Sequence, residues 1–223
     1  MKQKTKKIVN LFILDASSSM LRIKSQIIEG YNSQLAIARE AADKHNVDSS
    51  VSLVTFNSEG WGETAKVLIK EVFLNRDIGE VNDITAELYM CRDCTPLYDA
   101  IGKSITNLDK ALGKDIDKVD VIVTILTDGD ENSSQDYVGS QVADLIKEYQ
   151  ENYDWGFNFI GANIDVEKIS QDLNIPVGNT IAFAATAEGT ADSMECYTKN
   201  LTTYYSSTDS ERTLRKKSFI EKE

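Results

Sequence analysis

Two segments constrain this chain more than any other feature. Ile8–Leu14 reads IVNLFIL and Val119–Leu126 reads VDVIVTIL, each an almost unbroken apolar run. A strand covered on one face alternates apolar and polar residues, whereas a strand covered on both faces has no polar side to present. The two runs therefore predict central strands of a mostly parallel sheet with helices on both faces. VSLVTFN, AKVLIKEVFL, WGFNFIGA and TIAFAA supply further strand candidates. Between them lie stripes of helical period: Ile27, Tyr31, Leu35, Ala38 and Ala42, then Leu97, Ile101, Ile105, Leu108 and Leu112, then Val138, Val142, Leu145 and Tyr149. A last helix is expected over 187–205 with Ala191, Met194 and Leu201 inward. Alternation of this kind defines an α/β architecture. NSEGWGETAKVLIKEVFLNRD is too short for a crossover helix between two strands, so it predicts a hairpin and one antiparallel edge strand. Gly60 and Gly62 flank Trp61 in the turn, which leaves the indole to fold over the edge or to meet a partner.

No Pro/Gly-rich linker divides the 223 residues, and one domain spanning 1–223 is expected, with a core over about 8–205 and a polar tail over 206–223. The tail reads as a frayed helix or an oligomer contact, and the oligomeric state is left open. Net charge is −12, from 36 acidic and 24 basic side chains, a balance that repels nucleic acid. The basic clusters are terminal (Lys2, Lys4, Lys6 and Lys7, then Arg212, Arg215, Lys216 and Lys217) and read as solvated ends. No apolar run approaches the length of a membrane span. The first run is shorter than a secretory leader requires and flows into a polar loop, so it reads as strand one of a cytoplasmic protein.

Both central runs end in carboxylates: Asp15 after NLFIL, and Asp128 in TILTDGDENSS. In an open parallel sheet, ligands bind beyond the carboxyl ends of the strands. If the two strands are adjacent, the aspartates approach one point. Ser17 and Ser19 follow Asp15 with a spacing of two, which lets a curved loop turn both hydroxyls to the same side. Carboxylate, hydroxyl and water oxygens suit a hard divalent cation, Mg²⁺ or else Mn²⁺ or Ca²⁺, rather than copper or a structural zinc. The competing explanation of DASSS is a cap for the helix that begins near Arg22 or Lys24.

DASSS at 15–19, CTPLYDAIG at 94–102 and LTDGDENS at 126–133 together resemble the three loops of a von Willebrand factor type A (VWA) domain. The resemblance runs over about 8–205. It implies a Rossmann-like three-layer sandwich and a metal-ion-dependent adhesion site, MIDAS. By position, Asp15, Ser17 and Ser19 would be its first-loop ligands, Thr95 the second-loop hydroxyl and Asp128 the third-loop carboxylate. Ser18 stands where many members have glycine, and Asp130 and Glu131 add acids that would raise cation affinity or repel an acidic partner. The resemblance also implies a metal-dependent module that binds an Asp or Glu of a protein partner, such as an ATPase or stress-response protein. It points to an intracellular bacterial or phage-like member.

Catalysis is the weaker functional class. His45 is the only histidine and falls just past the first helix, away from the strand-end loops. A phosphoryl-transfer site built on a strand-end aspartate would want a second aspartate two residues on, where Ser17 stands. Neither GxxxxGK[ST] nor GxGxxG occurs. CRDC at 91–94 precedes Pro96 and so cannot open a helix as a thioredoxin-like pair does. Two reduced thiols beneath a loop, or a reversible disulfide next to Thr95, are the alternatives for Cys91 and Cys94.

Overall fold

The computed structural model describes residues 6–220, so Lys2 and Lys4 of the basic N-terminus lie outside the described residues. In chain order the elements are β1 (Lys7–Asp15), α1 (Lys24–His45), β2 (Ser49–Glu59), β3 (Lys66–Asp77), α2 (Leu97–Leu112), β4 (Val119–Thr127), α3 (Gly139–Tyr153), β5 (Gly156–Ala162), α4 (Val166–Asp172), β6 (Thr180–Phe183), α5 (Ala187–Ser206) and α6 (Asp209–Arg215). The six strands form one sheet in the order β3-β2-β1-β4-β5-β6. Every pairing is parallel except β2 with β3, the expected antiparallel edge.

The two apolar runs are the two central strands, and their alternate residues feed two separate cores. Ile8, Phe12 and Leu14 of β1 face the layer of α1 and α5. Val9, Leu11 and Ile13 face α2 and α3. Each such side chain contributes about 1.5–3 kcal/mol by leaving water. Two polar side chains within the runs meet tyrosines of α5. Asn10 Nδ2 donates to Tyr205 Oη at 2.8 Å, and Thr124 shares a hydrogen bond with Tyr197 Oη. On the same face α5 lies so close to α1 that a Cβ on Gly30 would stand 2.5 Å from Met194 Cγ.

Some helical phases differ from the sequence reading. Val138 is exposed at the start of α3 and Leu145 is half-buried, while Ala143 and Ile146 face inward. In α5 it is Thr190, not Ala191, that is buried, along with Met194 and Leu201. Small residues fill such seams as well as apolar ones, and periodicity alone does not distinguish them. The basic C-terminal cluster also departs from a solvated end. Arg212 is buried with its Nη1 3.8 Å from Asp120 Oδ2, and Lys216 Nζ pairs with Asp120 Oδ1. Phe219 and Ile220 are buried behind them, joining the α1/α5 core. Buried ion partners of this kind are invisible in a hydropathy pattern.

Candidate functional site

β1 and β4 are neighbours, with Leu14 opposite Leu126, so Asp15 and Asp128 leave adjacent strands at the same end. This is also where the order reverses: β1 leads out toward β2, and β4 leads the opposite way toward β5. The crevice of an open parallel sheet lies at such a point.

Three loops meet there and each is tied to the other two. From the first loop, Ser18 N–H donates to Asp93 O at 3.2 Å, while Arg92 N–H of the second donates back to Ala16 O at 2.8 Å. Thr95 N–H donates to Asn132 Oδ1 at 2.8 Å, and Asn132 N–H returns to Thr95 O at 3.2 Å, which joins the second loop to the third. Ser19 Oγ donates to Asp128 Oδ1 at 2.6 Å and closes the circuit from first to third. Ser17 Oγ and Ser19 Oγ are 2.9 Å apart. The spacing of two does turn both hydroxyls to one side.

Asp15 is fully buried. Its Oδ1 accepts from Ser17 N–H at 2.7 Å and its Oδ2 from Thr127 Oγ1 at 2.6 Å. Tyr89 Oη donates to its backbone carbonyl. Burial pushes the Asp15 carboxyl up from 3.8 to about 7, against the lowering effect of these donors, with the nearby Asp128 charge adding a smaller push. The cap alternative has a partial basis. Ser17 precedes a short 3₁₀ stretch, Ser18–Ile23, but its side chain makes no capping bond. Asp15 instead closes a turn onto Ser17 N–H.

Four features at the site were not legible as functional in the sequence. Arg22 Nη2 donates to Asp128 Oδ2 at 3.1 Å. Thr127 Oγ1 accepts from Gly129 N–H at 3.1 Å as well as holding Asp15, a role signalled only by a hydroxyl next to the strand-end acid. Asn132 fixes Thr95 through its backbone. Glu131 is consumed locally: Oε1 accepts from Ser133 N–H at 2.8 Å and Ser134 N–H at 2.7 Å, and Oε2 from Tyr98 N–H at 3.0 Å. It braces the loop, while Asp130 is exposed. Asp99 braces the following turn, accepting backbone N–H groups from Gln135, Asp136 and Tyr137.

The donor set agrees in chemistry with a hard cation: two carboxylates and three hydroxyls. Gly129 matters for the space between them. A Cβ there would stand 3.3 Å from Thr95 Oγ1 and 3.8 Å from Ser19 Oγ, so any side chain at 129 would crowd both hydroxyls. No group of three or more His, Cys, Asp or Glu able to hold a metal ion occurs among the described residues. Asp15 and Asp128 are the two acids of the candidate ligand set. His45 closes α1 next to the start of β2, at the other end of the sheet. Cys91 and Cys94 are free thiols, and burial pushes Cys91 up to about 11, away from the thiolate that redox chemistry needs.

The fold is a three-layer α/β sandwich whose strand order reverses between β1 and β4. No protein-family model matches the chain, and no curated protein matches it. Solved structures do. The pilus adhesin SpaC from Lactobacillus rhamnosus GG, in its open conformation, superposes with a TM-score of 0.64 at 15% identity, over 91% of this chain and 31% of that one. Proximal thread matrix protein 1 from the mussel byssus, with a zinc-occupied MIDAS motif, gives a TM-score of 0.56 at 14% identity, over 91% of this chain and 47% of that one. The chain thus spans less than half the length of either, and the likeness shows the fold.

These matches correct one expectation. The cytoplasmic placement, and the intracellular bacterial or phage-like assignment that went with it, give way to a fold carried by a pilus adhesin and a byssal thread protein. The physical reason is plain. Ile8–Leu14 is apolar because β1 is buried on both faces, and a secreted domain needs that strand as much as a cytosolic one. No helix among the described residues is long and apolar enough to cross a membrane.

Proposed function

We propose that this chain is a protein-binding module that captures a partner's carboxylate through a divalent cation at the β1/β4 crevice. Asp15, Ser17, Ser19, Thr95 and Asp128 would hold the ion, which is Mg²⁺ or a comparable hard cation such as Mn²⁺ or Ca²⁺. The hydrogen-bonded convergence of the three loops supports this reading: Ser17, Ser19 and Asp128 are linked side chain to side chain, and Thr95's loop is tied to the third loop. When bound, the ion would supply an electrophilic position that an Asp or Glu side chain fills. Without it, a partner's carboxylate would meet Asp15 and Asp128 with no divalent charge to bridge them.

The surroundings suit a protein ligand. Leu21, Trp61 and Met90 are 58%, 69% and 45% exposed, in segments at the same end of the sheet as Asp15 and Asp128. Exposed large apolar side chains beside a polar site are the usual composition of a binding hot spot. The names of the matched structures, an adhesin and a thread matrix protein, agree with adhesion and give no support to an ATPase or stress-response partner. They agree equally with a non-catalytic role.

A second reading, a domain of this fold whose cation site stays idle, is favoured by two observations. Arg22 already supplies a positive charge to Asp128. The acids, the histidine and the cysteines among the described residues form no metal-holding cluster. Calorimetric titration of the full chain with Mg²⁺ and Mn²⁺, with partner capture in Mg²⁺ against excess chelator, separates the two. The proposal expects saturable cation binding, lost in Asp15→Asn, and capture that vanishes with chelator. Undiminished capture in chelator would refute it.

A further inference from the structure

We propose that Arg22 is the resident counter-cation of this site: its guanidinium holds Asp128 when no divalent ion is bound and is exchanged for the ion when one enters. This rests on the cation reading above. Ser19 and Arg22 lie three residues apart in the same 3₁₀ stretch, Ser18–Ile23, and approach the two oxygens of one carboxylate. Ser19 Oγ takes Oδ1 at 2.6 Å and Arg22 Nη2 takes Oδ2 at 3.1 Å. The pair is asymmetric in burial. The Asp128 side chain is 0% exposed and that of Arg22 is 53% exposed. The carboxylate is therefore fixed, while the guanidinium reaches in from water on a long flexible arm.

That asymmetry decides which partner yields. A buried carboxylate needs a compensating charge, and in the metal-free protein Arg22 supplies it. A divalent ion drawing on Asp128 brings two positive charges against a third, and like charges at such separations repel strongly away from bulk water. Asp128 cannot move out, because Ser19 holds it and the third loop is braced by Asn132 and Glu131. Arg22 can, since half of its surface is already hydrated. Cation binding and the Arg22–Asp128 pair thus exclude one another. Arg22 lowers the affinity for the ion and keeps the metal-free crevice from carrying an uncompensated acid. It is a positioning residue, set against the ligand rather than among the ligands.

The test is a calorimetric Mg²⁺ titration of the full chain as wild type, Arg22→Ala and Arg22→Gln. A double-mutant cycle of Arg22→Ala with Asp128→Asn, unfolded by urea in excess chelator, accompanies it. Exchange predicts that both Arg22 variants bind Mg²⁺ about two- to fivefold tighter than wild type, the size expected for losing one partly exposed ion pair. It also predicts favourable coupling between positions 22 and 128 with no metal present. Equal or weaker Mg²⁺ binding by the Arg22 variants, with binding by the wild type intact, overturns the exchange and leaves the cation site standing. Absence of coupling in chelator overturns it as well. If neither wild type nor variant binds Mg²⁺ at millimolar concentration, the cation reading falls and takes the exchange with it.

Discussion

Asp15→Asn offers a direct physical test of the crevice. The carboxyl is wholly buried, and its folded value of about 7 lies well above the ordinary 3.8. A group whose value is raised on folding binds its proton more tightly in the native state. Protonation therefore favours the fold, and stability falls as pH rises between those two values. The slope is about 1.4 kcal/mol per pH unit, and the whole span corresponds to ~4 kcal/mol of native stability lost by pH 8 in metal-free protein. Asparagine has no such titration and fits the same bonds. Its Oδ1 can accept from Ser17 N–H. Its amide can donate to Thr127 Oγ1, whose own proton is then free for Gly129 O at 3.0 Å. Urea unfolding of both proteins in chelator, followed by circular dichroism from pH 4 to pH 8, gives the difference curve. Other carboxylates cancel in that difference. Asp15→Asn should match wild type near pH 4, gain steadily, and level off above pH 7 ahead by up to ~4 kcal/mol. Saturating Mg²⁺ should rescue the wild type alone, by mass action on the native state. A difference independent of pH, or a variant less stable than wild type at pH 8, would show that burial does not govern this carboxyl.

Three further outcomes follow from contacts described above. Gly30→Ala puts a Cβ 2.5 Å from Met194 Cγ, so α1 and α5 must part or Met194 must change rotamer; thermal unfolding should register a loss of about 1–3 kcal/mol. Glu131→Gln removes the charge from an acceptor that serves three backbone N–H groups, and should cost about 1–3 kcal/mol in urea unfolding while loosening Thr95's loop. Trp61→Ala should leave the melting temperature within about 1–2 °C of wild type, because the indole is 69% exposed, yet weaken partner capture several-fold by pulldown titration.

Much of the sheet is readable from single residues. IVNLFIL and VDVIVTIL suit strands covered on both faces, and β1 and β4 send alternate side chains into the two cores. The hairpin of β2 and β3 follows from a segment too short to cross over and from two glycines that reach positive φ, at +85° for Gly60 and +70° for Gly62. Helix phase was less secure where small or polar residues take the buried positions, as Thr190 and Ser193 do in α5.

The candidate site divides in the same way. Its oxygen donors were legible because a strand-end acid and closely spaced hydroxyls are local features, set by residue type and spacing within a few positions. That Asp15 and Asp128 leave neighbouring strands and that Arg22 stands against Asp128 depend on how loops about a hundred residues apart fold together. Local chemistry is written in the order of the chain. Which charge neutralises which depends on distances that exist only once the sheet has set its strand order, and that order belongs to the tertiary structure.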